Sequence, residues 1–149
     1  MRILRFLCLM LLTTPLLVAC NRNEHASRMH GHVDKLEVID RSVGTGIEAR
    51  PGMKVTVAYS GWLYDDRKAD FHGSAFDSSS DHGGPYAFVL GEGRVIAGWD
   101  RGVTGMHVGG TRTLIIPAAL AYGSRGAGGV IPPDATLVFN VKLVSAQAQ

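Results

Sequence analysis

A set of aromatic and aliphatic side chains in this sequence has the types and spacing to wall a small pocket: Tyr59, Phe76, Tyr86, Phe88, Val95, Ile96, Trp99, Tyr122, Ile131 and Phe139. Tyr59, Asp77 and Tyr122 add polar tips to this otherwise apolar collection. Small-ligand sites are usually built in this way, apolar with a few placed polar groups. The densest stretch is Val95-Ile96-Ala97-Gly98-Trp99-Asp100-Arg101-Gly102, an indole among glycines with nothing reactive beside it. The plainer alternative is that every one of these residues is core, the normal place for so large a ring. Phe76-Asp77 and Ala121-Tyr122-Gly123 resist it, because they read as loop edges and not as strand faces.

Conventional reactive constellations do not compete with this pocket. Gly123-Ser124-Arg125-Gly126 misses the spacing of a nucleophile elbow. Gly91-Glu92-Gly93 begins like a dinucleotide loop, but Ile96 stands where the third glycine is needed. There is no phosphate-binding Gly-x-x-x-x-Gly-Lys-Ser/Thr, no H-E-x-x-H and no paired-cysteine metal motif. His72, His82 and His107 read as isolated loop residues, and His25, His30 and His32 as scattered residues of a polar tail. The expectation is a site without metal or cofactor.

Five strands and one helix must position these groups. Lys54 to Tyr64 alternates with period two, Val55, Val57, Tyr59 and Leu63 on one side and Lys54, Thr56, Ala58 and Ser60 on the other. Thr136 to Val144 repeats the pattern, with Leu137, Phe139, Val141 and Leu143 inward and Asn140 and Lys142 outward. Tyr86, Phe88 and Leu90 form a short strand, Thr111 to Ile116 another stopped by Pro117, and Leu36 to Ile39 a weaker one. Trp99, Val103 and Met106 recur at helical spacing, in a segment that Gly98, Gly102 and Gly105 weaken. Asp65 to Gly73, Asp77 to Gly84 and Tyr122 to Asp134 read as loops. One short helix against several strands, each with one apolar face, makes an α+β fold.

The first residues carry a different message. A basic start, Met1 to Arg5, precedes an apolar run from Phe6 to Val18 that is broken by Thr13, Thr14 and Pro15. Small residues before a cut site complete an export signal over 1–19, too short for a spanning helix of about 20 apolar residues. Leu17-Val18-Ala19-Cys20 resembles the cleavage site of bacterial lipoproteins, which implies cleavage before Cys20 and acyl chains on that residue. Cys8 falls inside the signal, so Cys20 is the lone cysteine left; a lone free thiol is unusual in an exported protein. Several acyl chains anchor a protein stably. Residues 20–34 then form a lipidated tether and 35–149 the domain. Asn21 follows the cysteine where an aspartate usually signals inner-membrane retention, which favours the outer membrane, facing the periplasm. Removing Arg2 and Arg5 from the 15 basic residues leaves thirteen against 13 acidic ones, and no Lys/Arg cluster points to nucleic acid.

With these residues in view, the sequence resembles the FKBP-type peptidyl-prolyl cis-trans isomerases, the macrolide-binding family. The resemblance rests on Val57-Ala58-Tyr59-Ser60-Gly61, Phe76-Asp77-Ser78-Ser79, Phe88-Val89-Leu90-Gly91, Val95-Ile96-Ala97-Gly98-Trp99, Ala121-Tyr122-Gly123 and Ile131-Pro132-Pro133-Asp134-Ala135-Thr136-Leu137-Val138-Phe139, in order from about Gly52 to Val144. It implies an antiparallel β-sheet curled around one short α-helix. It also implies a proline pocket of Tyr59, Phe76, Asp77, Val95, Ile96, Trp99, Tyr122 and Phe139, with Tyr86 and Ile131 also contacting the substrate. By the same resemblance Trp99 is the floor, the Ile96 amide and Tyr122 hydroxyl donate hydrogen bonds, and Asp77 lies beside the rotating carbonyl. Tyr86, Ala127 and Val130 depart from residues common in the family, all at the rim. Partners implied are proline-containing polypeptides and macrolide inhibitors, with the membrane reached through the lipid. No helical dimerisation segment separates Cys20 from the first strand, so a monomer is expected.

Such a pocket needs no nucleophile. X-Pro rotation takes tens to hundreds of seconds unaided, over a barrier of roughly 20 kcal/mol set by amide resonance. A dry pocket desolvates the polar planar amide at a cost of about 1–3 kcal/mol. The twisted amide has lost resonance and carries less charge on oxygen, so the penalty falls more heavily on the ground state. Two other readings of the same domain are a module that holds exposed chain with incidental isomerase activity, and a lipoprotein that docks a partner through the Asp65–Ala75 loop.

Overall fold

The computed structural model describes residues 30–149; the segments expected to be an export signal and the first part of a tether, with Cys20, lie outside them. Six strands form one sheet: β1 (Glu37–Ser42), β2 (Lys54–Tyr64), β3 (His72–Ser78), β4 (Tyr86–Val89), β5 (Thr111–Ile116) and β6 (Leu137–Gln147). All pairings are antiparallel, in the order β1-β5-β6-β2-β3. The outer edge of β2 is shared, with β4 pairing Lys54–Val57 and β3 pairing Ser60–Tyr64. The single α-helix described, α1 (Ala97–Val103), packs across β5. This is the α+β sheet and short helix expected from the sequence.

The alternation in β2 and β6 holds as read. Val55, Val57, Leu63, Leu137, Phe139, Val141 and Leu143 are buried in the core beneath the helix. Asn140 and Lys142 face solvent. The helix ends at Val103, so Met106 lies past its C-terminus, although it still packs into the core. The glycines that weaken the helix have a compensating use. A Cβ on Gly98 would run into the Ile116 side chain, and one on Gly102 would sit 2.7 Å from Leu114 Cδ1. Bare backbone on this face lets the helix lie directly on β5.

Strand β3 is the main departure from the sequence reading, which places His72–Gly73 and Asp77–Ser78 in loops and no strand between them. Its burial does not alternate cleanly, and Gly73, Ser74, Asp77 and Ser78 have poor strand propensity. Pairing with the long β2 overrides that preference. Phe76 and Asp77 are therefore strand residues and not loop-edge residues. Ahead of and at the start of this strand, Phe71 stacks on Tyr64 at 5.4 Å and His72 on Trp62 at 3.8 Å. Before β1, the Val33 N–H donates to Thr136 Oγ1 at 3.2 Å and His30 bridges Asp65, so residues 30–33 lie along the domain.

Gly→Ala normally stabilises a helix interior by up to about 1 kcal/mol. At position 98 overpacking against Ile116 reverses the sign. Gly98→Ala is expected to lose about 1–3 kcal/mol, read as a lower urea midpoint; an increase would show that the close approach is not needed.

Candidate active site

Phe76 is an extra residue in its strand. Gly61 pairs with Asp77 and Trp62 with Ala75, which leaves Phe76 without an opposite number. In a regular strand, neighbours point to opposite faces. A bulge re-aims a side chain, and here the consecutive Phe76 and Asp77 line one cavity. Gly61 makes room for this. A Cβ there would lie 2.7 Å from the Phe139 ring and 2.8 Å from Phe76 Cζ.

Beyond Ser78 the chain leaves the sheet in a 3-10 turn, Ser79–His82, and Tyr59 has no backbone partner on that side. The serine hydroxyls serve instead. Ser79 Oγ accepts from the Tyr59 N–H at 3.1 Å, and the Ser78 hydroxyl donates to the Tyr59 carbonyl at 3.2 Å. Tyr59 is thereby fixed, and its own hydroxyl donates to Asp77 Oδ2 at 2.8 Å. Burial, followed by the Asp77 carboxylate that accepts its proton, pushes the Tyr59 phenol well above its usual value. Burial and the same carboxylate also raise Tyr122.

The floor comes from α1. Trp99 is buried, with ring centroids 4.9 Å from Tyr59, 5.3 Å from Phe139 and 5.8 Å from Phe88. Phe76 meets Phe139 edge-on at 5.5 Å and 89°. Edge-to-face pairs contribute about 0.5–1.5 kcal/mol each beyond area burial. Trp99 Nε1 is the one buried side-chain polar atom without a hydrogen-bond partner among the described residues. Ahead of the helix, the Asp100 carboxylate accepts the Gly91 N–H at 2.8 Å and the Gly93 N–H at 2.9 Å. That clamp sets the turn leading into Val95 and Ile96. The Ile96 carbonyl accepts the Trp99 N–H at 2.9 Å and so opens the helix.

A cavity of about 220 Å³ is lined by Tyr59, Phe76, Asp77, Tyr86, Arg94, Val95, Ile96, Trp99, Tyr122 and Phe139. Ile131, a predicted contact, is not among them. It is buried in the core, where a tight turn exchanges backbone hydrogen bonds between Ile131 and Ala127 at 2.9 and 3.0 Å and draws it inward. Phe88 lies behind Trp99 and also does not line the cavity. Of the three departures from the family pattern, Tyr86 lines the cavity and is 46% exposed, whereas Val130, 57% exposed, and the half-buried Ala127 do not line it. A larger groove of about 480 Å³ lies on the opposite face of the sheet. Its walls are mostly residues with hydroxyl, amide or cationic side chains, Arg41, Ser60, Ser78, Thr111, Asn140 and Lys142 among them, and no indole or phenylalanine ring lines it to receive a prolyl ring.

The sequence pattern described as FKBP-type peptidyl-prolyl cis-trans isomerase matches residues 46–144. The chain belongs to this family. It is 50% identical over 109 residues to the "FK506-binding protein" of Neisseria meningitidis serogroup A, covering 73% of this chain and 94% of that protein. It is 55% identical over 102 residues to "Peptidyl-prolyl cis-trans isomerase FPR2" of Saccharomyces cerevisiae, covering 68% and 71%. Among solved structures, AtFKBP13 matches with a TM-score of 0.66 and 38% identity, over 78% of this chain and 96% of that one. FkpA from Escherichia coli matches with a TM-score of 0.64 and 36% identity, over 76% of this chain but 48% of that chain. The protein is thus an FKBP-type peptidyl-prolyl cis-trans isomerase.

Sequence reading missed several groups that shape the cavity of this isomerase. Arg94 lines it. Asp100 holds the preceding turn, a role hinted at only by its place after Gly91 and Gly93. His82, read as an isolated loop residue, has its Nε2 2.7 Å from Asp77 Oδ1. Recognising β3 would have exposed that pairing, since a turn after Asp77 folds back on the strand's last residues.

The raised Tyr59 phenol gives a pH prediction. The folded state prefers the protonated form, so this contribution to stability is complete below about pH 10 and is lost as pH rises further. Ultraviolet phenolate titration of the protein and of Tyr59→Phe should coincide up to about pH 11. An extra tyrosine ionising near pH 10 in the unsubstituted protein would contradict the buried Tyr59–Asp77 bond.

Proposed function

We propose that the cavity over Trp99 is the isomerisation site, and that the enzyme acts on exported polypeptides from a lipid anchor at Cys20. One observation carries the first part: Tyr59, Phe76, Trp99 and Phe139 enclose the same cavity that Asp77, Ile96 and Tyr122 line. A prolyl ring packs on the Trp99 indole between Phe76 and Phe139. The Ile96 N–H and Tyr122 O–H donate to carbonyls of the bound chain. Asp77, held by the Tyr59 hydroxyl, sits beside the carbonyl that rotates.

Within this site the reaction is carried by differential desolvation. The planar amide enters with a strongly polar carbonyl, and the apolar rings penalise it by about 1–3 kcal/mol. The twisted amide has given up resonance, and its carbonyl is less polar. The nearby carboxylate acts in the same direction, since it repels the charge on the planar amide's oxygen more than that on the twisted one. Each 1.4 kcal/mol of difference is about tenfold in rate. Macrolides of the FK506 type are expected in the same cavity. The exposed Tyr86 and Val130 tune their affinity and the preference for the residue before proline.

The envelope location rests on sequence: the leader over 1–19 and the lone Cys20 after Leu17-Val18-Ala19. No helix among the described residues is long and apolar enough to cross a membrane. On this reading the domain hangs by residues 20–34 from the outer membrane, as a monomer facing the periplasm.

The test is isomerisation of a short X-Pro peptide by the chain from just after Cys20. Tyr122→Phe should lower kcat/KM about fivefold to tenfold, the loss of one hydrogen bond. Wild-type rates no faster than background would overturn the assignment. Suppression of client aggregation that survives Tyr122→Phe while isomerisation falls would make the domain chiefly a holding module. Cys20→Ser should abolish incorporation of labelled palmitate and release the protein from the membrane fraction; unchanged labelling would rule Cys20 out as the anchor.

A further inference from the structure

We propose that His82 is a positioning residue for the isomerase, and that protonation of its imidazole lowers the rate by offsetting the charge of Asp77. This rests on the reading that Asp77 lies beside the rotating carbonyl. The Asp77 carboxylate has a partner on each oxygen. Oδ2 accepts the Tyr59 hydroxyl at 2.8 Å, and Oδ1 lies 2.7 Å from His82 Nε2. The two partners come from opposite sides. Tyr59 is anchored in β2 and lines the cavity, whereas His82 ends the 3-10 turn and does not line it.

The fold builds this return deliberately in the turn. Ser78 caps its start by accepting the Ser80 N–H, and Gly83 ends it at a φ of 85°. The Gly84 N–H then donates back to the Ser79 carbonyl at 3.0 Å. The turn thus brings the imidazole back over the carboxylate five residues earlier. The His82 side chain is 65% exposed and so open to solvent, while it touches a half-buried carboxylate that lines the site.

Nε2 donates to Asp77 in both the neutral ring with that tautomer and the imidazolium, so protonation keeps the bond and adds a charge. The charged and titratable groups around the pair are Tyr59, Tyr86, Tyr122 and Arg94 in the cavity wall, Glu92 at 3.9 Å from Arg94, and Asp81 next to His82 in the turn. Phenols stay neutral and Arg stays charged at physiological pH. Histidine is the side-chain type whose ordinary titration falls between about pH 5 and 8. An imidazolium in contact with Asp77 screens the carboxylate's repulsion of the planar amide's carbonyl, so the catalytic preference for the twisted amide weakens as pH falls.

The test uses a protease-free exchange measurement by NMR on an X-Pro peptide with blocked ends and no titratable side chain, at pH 5 to 8. The unsubstituted protein, His82→Gln, His82→Arg and Asp77→Asn are compared, with thermal midpoints recorded at each pH to confirm that all remain folded. Wild-type kcat/KM should rise about threefold to tenfold across the range. His82→Arg, permanently charged, and His82→Gln, permanently neutral, should both lose the rise, and the Gln variant should be the faster of the two. A flat wild-type profile, or a rise that survives in both His82 variants, would overturn the role of His82. An Asp77→Asn variant as active as wild type would instead remove the reading of Asp77, and His82's role with it.

Discussion

The pocket depends on one extra residue in one strand. Two consecutive side chains on a regular strand cannot line the same cavity. The Phe76 bulge lifts that restriction, and Gly61 opposite leaves the space into which the Phe76 and Phe139 rings close. From this follows the rest of the wall. Asp77 meets the Tyr59 hydroxyl, the chain must then leave the sheet, and the Ser78 and Ser79 hydroxyls take over the backbone groups of Tyr59 that the departing strand abandons. This wall is thus built from several small local solutions to unpaired polar groups, each of which would be costly if left unmet.

The opposite side of the cavity is set by close packing. Gly98 and Gly102 bring α1 onto Ile116 and Leu114, and that depth places Trp99 among Tyr59, Phe88 and Phe139. Asp100, on the same helix, reaches back to the Gly91 and Gly93 amides and so fixes the segment that presents Val95 and Ile96. One seven-residue helix therefore supplies both the floor and the clamp. The chemistry asks for no more: rotation breaks no bond, and what matters is a rigid, dry, apolar enclosure with a few fixed polar groups.

Much of this was legible in the sequence because strong periodic signals carried it. The alternation over Lys54–Tyr64 gives the eleven-residue central strand β2 with its observed bounds, and the run Thr111–Ile116 gives β5. Strand β3 was not legible. Its propensities are poor, its bulge breaks the period of two, and only pairing with β2 makes it a strand. The residues misplaced by sequence reading follow from that one omission: Phe76 and Asp77 assigned to a loop edge, and His82 read as isolated. Ile131 erred for a different reason. A tight turn closed by paired backbone hydrogen bonds sends it into the core, and no pattern of side-chain types announces that direction.

The most direct measurement is the position of a bound proline. Intermolecular NOEs should connect the ring protons of proline in a short X-Pro peptide to the Trp99 indole and to the Phe76 and Phe139 rings. NOEs confined to Ala58, Ser60 and Lys142, in the polar groove on the sheet's opposite face, would contradict the assignment of the cavity over Trp99 as the isomerisation site.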